Sequence, residues 1–168
     1  WQLSLVPMQH STSLPAVIEI DAPQRIFALQ PVDAKLDVQF GEIATLVGAS
    51  FEPEPSMVQP GETLTATLLW RAESETDTPY RVFLHLLGPS GHLVDQSDGV
   101  PAQWRRPTTG WLAGEYIEDV REVIVPAEAD PGDYVIFVGL YGPDRERLTT
   151  LDGQGAVRVV SVTVEPDG

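Results

Sequence analysis

Two tryptophans, two arginines, five carboxylates and several hydroxyls crowd one stretch of the chain, Asp95 to Asp119. It runs through Gln96, Asp98, Trp104-Arg105-Arg106-Pro107-Thr108-Thr109-Gly110-Trp111, Glu115 and Glu118-Asp119. An irregular segment longer than about 15 residues in a compact domain is usually functional or packed upon itself. Carbohydrate binding is one chemistry that suits these residue types. Sugar rings stack their apolar faces on aromatic side chains, and their hydroxyls pair with carboxylates, amides and guanidinium groups. Trp104 and Trp111 would then be platforms, with Gln96, Asp98, Arg105 and Glu115 as polar partners. The opposing reading is structural. Both tryptophans cover a face of the fold, and the polar residues satisfy the segment's own backbone. His85, Thr108 and Asp119 would belong to that network, with His85 hydrogen-bonded to an acid such as Asp98.

Other chemistries find weaker support. Asp95, Asp98, Glu115, Glu118 and Asp119 are hard oxygen ligands of the kind a structural calcium ion takes, but no Asp-x-Asp-x-Asp-Gly loop is present. No cofactor is expected. His10, His85 and His92 have no zinc-site spacing. No Gly-x-Ser-x-Gly elbow exists, and Ser90 in Pro89-Ser90-Gly91 is an ordinary turn residue. A hydrolase built on paired carboxylates is easy to draw with 25 acids in the chain, and that ease makes it a weak signal.

Composition narrows the class further. The 168 residues are 42% hydrophobic and 21% charged, enough to bury a core. The absence of cysteine removes disulfides, thiolate zinc, iron–sulfur clusters and cysteine nucleophiles together. A net charge of −15 repels nucleic acid and anionic lipid headgroups. No run of about 18 apolar residues is present to insert into a membrane. The chain begins at Trp1 instead of Met, so we expect it to be processed or cut from something longer.

The elements that must position these residues are strands. Residues 1–35 are punctuated by Pro7, Pro15, Pro23 and Pro31, which exclude a helix. Ala16–Ile20 and Arg25–Leu29 could each add a short edge strand, or the segment is a linker. From Leu36 the period becomes two: Leu36–Phe40, Ile43–Phe51 with a bend or bulge near Gly41 and Gly48, and Thr63–Trp70 with Leu64, Ala66, Leu68 and Trp70 on one face. Tyr80–Leu87 is apolar on both faces, which implies a central or covered strand. Pro89-Ser90-Gly91 turns, and Leu93-Val94 starts a return strand. Gln96–Gly114 reads as irregular. Tyr116–Val125 has mixed periodicity and is read as a bulged strand. Asp133–Tyr141 and Val157–Val164 complete the set. Pro60-Gly61-Glu62 and Pro131-Gly132-Asp133 launch strands by the same turn. Seven to nine strands without an amphipathic helix predict an all-β, antiparallel two-sheet β-sandwich of immunoglobulin-like or jelly-roll type over residues 36–168.

Taken together, several strings resemble a known domain. They are Pro60-Gly61-Glu62, Leu68-Leu69-Trp70-Arg71-Ala72, Val82-Phe83-Leu84-His85-Leu86, Arg106-Pro107-Thr108-Thr109 with Trp111, Gly114-Glu115, and Val138-Gly139-Leu140-Tyr141. They resemble the C-terminal extracytoplasmic β-sandwich domain of bacterial membrane proteins similar to the dolichyl-phosphate-mannose–protein mannosyltransferase superfamily. The resemblance covers about residues 36–165. It implies a domain outside the cytoplasm, tethered to a membrane-embedded, glycosyltransferase-like parent, with Trp1–Lys35 as the connector. The catalytic acids of such transferases lie in the membrane part, so the resemblance transfers no catalytic residue. The expected function is a non-catalytic accessory domain that binds glycan or cell-envelope polymer through residues 96–119. The alternative is a structural or protein-interaction module, with the hydrolase third.

Overall fold

The computed structural model describes residues 24–56 and 58–165. It is a sandwich of eight antiparallel strands: β1 (Ala34–Phe40), β2 (Ala44–Glu52), β3 (Thr63–Ala72), β4 (Arg81–Leu87), β5 (Leu93–Gly99), β6 (Tyr116–Ile124), β7 (Gly132–Tyr141) and β8 (Val157–Val164). One sheet has the order β1-β2-β3-β6 and the other β5-β4-β7-β8. The pairings β3–β6 and β4–β7 each skip over intervening strands, as in the Greek key of immunoglobulin-like domains. Tyr134 adds a hallmark of that fold: its hydroxyl donates to the Asp130 carbonyl, four residues upstream, at 3.0 Å. No helix among the described residues is long and apolar enough to cross a membrane.

The core lies between the sheets and follows the period of two. Leu64, Ala66, Leu68 and Trp70 of β3 face Val82, Leu84 and Leu86 of β4 and Ile136, Val138 and Leu140 of β7, all fully buried. Each large aliphatic side chain so buried contributes roughly 1.5–3 kcal/mol. Phe40 and Trp70 pack ring to ring at 5.8 Å. β4 is central, and its second face is covered as its apolar character requires: Arg147, from the β7–β8 connection, lies 4.4 Å above the Phe83 ring. The bulge expected in the second strand falls between Leu46 and Gly48.

Three local expectations are corrected. β6 has no bulge; its nine residues pair with β3 in unbroken register. Its alternation is perfect once Asp119 and Arg121 are counted as inward residues beside Ile117 and Val123. The pattern looked mixed because a buried ion pair occupies two core positions. The irregular stretch begins later than Gln96, since β5 continues to Gly99. β5 carries no apolar alternation because it is an edge strand whose inner side meets polar groups of β6. Arg25–Leu29 is not a strand; Ile26 makes a single bridge to Tyr116. The expected strand Ala16–Ile20 and His10 lie outside the described residues.

Candidate functional site

Residues 100–115 carry the chain from β5, the edge of one sheet, to β6, the edge of the other. Such a crossing exposes backbone polar groups at the end of the sandwich, and buried side chains satisfy them. Thr108 is fully buried; its hydroxyl donates to the Thr78 carbonyl at 2.8 Å and accepts the Tyr80 N–H at 2.9 Å. Trp111 is 2% exposed, and its indole N–H donates to the Arg106 carbonyl at 2.9 Å. Glu115 is fully buried and accepts from Arg106, from Arg25 at 2.7 Å and from the Leu112 N–H at 3.1 Å. Asp119 accepts the Ala102 N–H and the Arg121 Nε–H, each at 2.8 Å. Arg121 then reaches across the sandwich edge and donates to the Ser97, Gly99 and Val100 carbonyls of the β5 end. Thr108, Trp111, Glu115 and Asp119 thus form an internal knot that joins the two sheets.

The two buried acids respond oppositely to pH. Burial pushes Glu115 upward, but Arg106, the Leu112 N–H and Arg25 more than offset it, and its pKa falls below the ordinary 4.5. A lowered folded pKa stabilises the fold in full above 4.5, and this contribution is lost as pH falls through the folded value. Burial raises Asp119 above its ordinary 3.8 despite Arg121 and the Ala102 N–H, so its ionisation costs stability as pH rises through its folded value. Urea melts across acidic pH should therefore show stability dropping below about 4.5 in the parent and dropping less steeply in Glu115→Gln. Equal slopes in the two proteins would contradict the assignment.

Trp104 behaves differently from Trp111. It is 65% exposed. Ala102, Gln103 and Trp104 have φ of 54°, 53° and 70°, three consecutive left-handed residues without a glycine. Each costs roughly 1–2 kcal/mol, so the turn persists only because its surroundings fix it. The fixing bonds are Trp104 N–H to Val100 O at 3.3 Å, Arg105 N–H to Ala102 O at 3.1 Å, Arg106 N–H to Pro101 O at 3.2 Å, and the Ala102 N–H held by Asp119. The indole lies over Gly99, and the Arg81 guanidinium stands 5.4 Å from its ring. Arg105 is exposed, and its side chain donates to Gln103 Oε1 at 3.3 Å.

The second concentration of polar chemistry is the outer face of the β5-β4-β7-β8 sheet. In register, His85 stands opposite Gln96 on one side and Phe137 on the other, and Phe83 stands between Asp98 and Gly139. Phe83 can lie flat because Gly139 has no Cβ; a side chain there would collide with the Phe83 ring. Together Phe83, His85, Gln96, Asp98, Tyr141, Arg145 and Arg147 line a shallow cleft of about 250 Å³. A second cleft of similar size, lined by Arg81, Tyr141 and Arg145 among others, joins it through Tyr141 and Arg145. His85 Nε2 approaches Asp98 to 3.4 Å, with no well-aligned hydrogen bond among the described residues. Burial lowers the His85 pKa, Asp98 opposes the shift and Arg147 adds to it, which leaves a neutral imidazole at neutral pH.

Apart from Trp104 and Arg105 on the exposed turn, the residues singled out in the sequence separate into two groups. Gln96 and Asp98 meet His85 on the outer face, whereas Thr108, Trp111, Glu115 and Asp119 are internal. Trp111 offers no face to a ligand ring. The acids proposed as calcium ligands scatter: Asp95 caps the Ile124 N–H at 2.6 Å, Asp98 faces His85, and Glu115 and Asp119 hold arginines. Among the described residues no three His, Asp or Glu side chains gather to hold a metal ion. Asp119, a carboxyl with an upward shift, meets a guanidinium instead of a second carboxylate across a cleft. Sequence reasoning missed Phe83, Tyr141, Arg81, Arg145 and Arg147 as site residues. One signal was present, the apolar second face of β4, which needed a cover.

No family model matches the chain, and no curated protein does. Solved structures do match. The C-terminal domain of wzt aligns over 82% of this chain and 84% of its own length, with a TM-score of 0.52 and 12% identity. This chain is similar in fold to that domain. The CARDB domain of the PF1109 protein from Pyrococcus furiosus, solved in complex with di-metal ions, aligns over 87% of this chain and all of its own, with a TM-score of 0.42 and 11% identity. At such identities the likeness to the wzt domain is one of architecture: a β-sandwich module.

Proposed function

We propose that this chain is a non-catalytic accessory domain that binds a glycan or cell-envelope polymer on the outer face of the β5-β4-β7-β8 sheet. Its setting, by the family resemblance, is outside the cytoplasm and tethered to a membrane-embedded, glycosyltransferase-like parent. The observation that carries the reading is a cleft that combines aromatic rings with hydrogen-bonding groups, with the exposed Trp104 beside it in contact with Arg81, which lines the adjoining cleft. Tyr141 and Trp104 supply apolar faces for sugar rings, and His85, Gln96 and Asp98 supply donors and acceptors for hydroxyls. The site lies partly outside residues 96–119, because half of that segment is consumed by the internal knot. For this buried half the structural role applies.

Tryptophan fluorescence with a panel of oligosaccharides tests the reading. Binding should saturate with one class of glycan and quench or shift emission. Trp104→Ala should weaken that affinity by about 1–3 kcal/mol while changing stability by less than about 0.5 kcal/mol. Unchanged affinity in Trp104→Ala would remove the platform from the site. A spectrum deaf to every saccharide would leave the domain a structural module.

A further inference from the structure

We propose that this outer face contains an anion subsite formed by Arg81, Arg145 and Arg147 around Tyr141, and that the ligand is a saccharide bearing a carboxylate or phosphate. The inference rests on the glycan reading and adds the ligand's charge. It starts from where the arginines go. The chain holds nine, against 25 acids. Arg25, Arg71, Arg106 and Arg121 pair with carboxylates. Arg158 donates to Ser161 Oγ at 2.5 Å and Arg105 to Gln103. Arg81, Arg145 and Arg147 make no side-chain hydrogen bond or ion pair among the described residues, and all three line the joined clefts beside Tyr141. In a chain of net charge −15, three arginines without an acid partner on one face form a local field opposite to that of the whole.

Their arrangement is held, not random. Arg147 is stacked 4.4 Å over Phe83 and Arg81 5.4 Å from Trp104, so aromatic faces fix both guanidinium groups and leave N–H donors free. Arg145 has φ 68°, a left-handed backbone at a residue with a side chain. Asp144 and Glu146, which alternate with the arginines, do not line either cleft; Asp144 Oδ1 accepts the Glu146 N–H at 3.1 Å. Among the described residues Asp98 is the only carboxylate lining the cleft, and it sits on the His85 side. Planar guanidinium donors match the oxygens of a carboxylate or phosphate, and neutral sugar hydroxyls need no such convergence of charge.

Polygalacturonate and its fully methyl-esterified form share one backbone and differ in charge. Titrated against this chain, the charged form should bind about tenfold more tightly, and added salt should erode the difference. In the Arg81→Gln/Arg145→Gln variant the preference should collapse to about one, with the melting curve unchanged. In a second arm, inorganic phosphate alone is titrated while the arginine side-chain N–H signals are followed by NMR. Movement of the Arg81, Arg145 and Arg147 signals without saccharide binding would keep the subsite, assign its anion to phosphate and discard the glycan reading. A charged polymer that binds while phosphate is silent assigns the anion to carboxylate. Equal affinity for the two polymer forms would overturn the subsite and leave the glycan reading standing. Silence of the arginine signals toward both anions would overturn it as well.

Discussion

Asp119→Ala should lower the unfolding free energy by about 3–5 kcal/mol, because it leaves the Arg121 guanidinium charged and buried without its counterion. Asp119 is fully buried and Arg121 6% exposed, so water cannot replace the lost partner. Arg121 also carries three carbonyls of the β5 end, at 3.0–3.4 Å, and its displacement would free them together. The pair itself need not be strongly stabilising: removing charges from water costs several kcal/mol per ion, and apolar residues of similar volume often replace a buried pair without loss. Asp119→Leu with Arg121→Met should therefore recover much of what either single change loses. Urea unfolding of the four proteins measures the coupling. Additive losses in the double variant would show that the two groups act independently. A local consequence follows as well. Asp119 holds the Ala102 N–H, and Ala102 opens the left-handed turn that displays Trp104. In Asp119→Asn, which keeps an acceptor at that position, the emission of Trp104 should change less than in Asp119→Ala.

The fold was legible where one strand face is apolar and the other polar. Thr63–Trp70 shows its pattern openly, and β3 runs Thr63–Ala72. Val157–Val164 is β8 itself. Both Pro-Gly turns were legible for a backbone reason, since Gly61 and Gly132 have φ of 83° and 148°. The pattern failed where charged residues take core positions, as in β6, or where an edge strand meets polar groups, as in β5. Hydrophobic periodicity records transfer from water, and a paired Asp119–Arg121 is buried without any hydrophobic signature. The site was harder to read for a related reason. Composition pointed to residues 95–119 as unusual, and the structure spends their chemistry in two places. Whether a tryptophan in a loop faces inward or outward depends on which carbonyl its N–H can reach. Trp111 finds Arg106 O; Trp104 is turned outward by a backbone conformation no residue pattern announces. Arg145 and Arg147 lie some 50 residues from Gln96, and only the β4–β7 pairing brings them to the same face.

Trp111→Ala should be the companion to the Asp119 experiment, with a loss of about 3–5 kcal/mol, while Trp104→Ala costs a small fraction of that. The contrast follows from exposure, 2% against 65%, between two tryptophans seven positions apart in one connection. Trp111 packs into the core cluster, and its N–H fixes the Arg106 carbonyl, while the Arg106 side chain reaches Glu115. Truncation thus opens a cavity and loosens the arginine that neutralises a buried carboxylate. Trp111→Phe separates the two effects. It keeps most of the apolar volume and loses the indole donor, so the loss should fall to about 1–2 kcal/mol. If Trp111→Phe is as damaging as Trp111→Ala, the hydrogen bond and the knot dominate over packing. If Trp111→Ala is as mild as Trp104→Ala, the connection is not part of the cooperative fold, and its buried acids would hold the sheets together far less than their geometry requires. The first result fits a rigid crossing that fixes a left-handed turn at its outer edge. Such rigidity is what an exposed indole needs to meet a ligand without a large ordering cost.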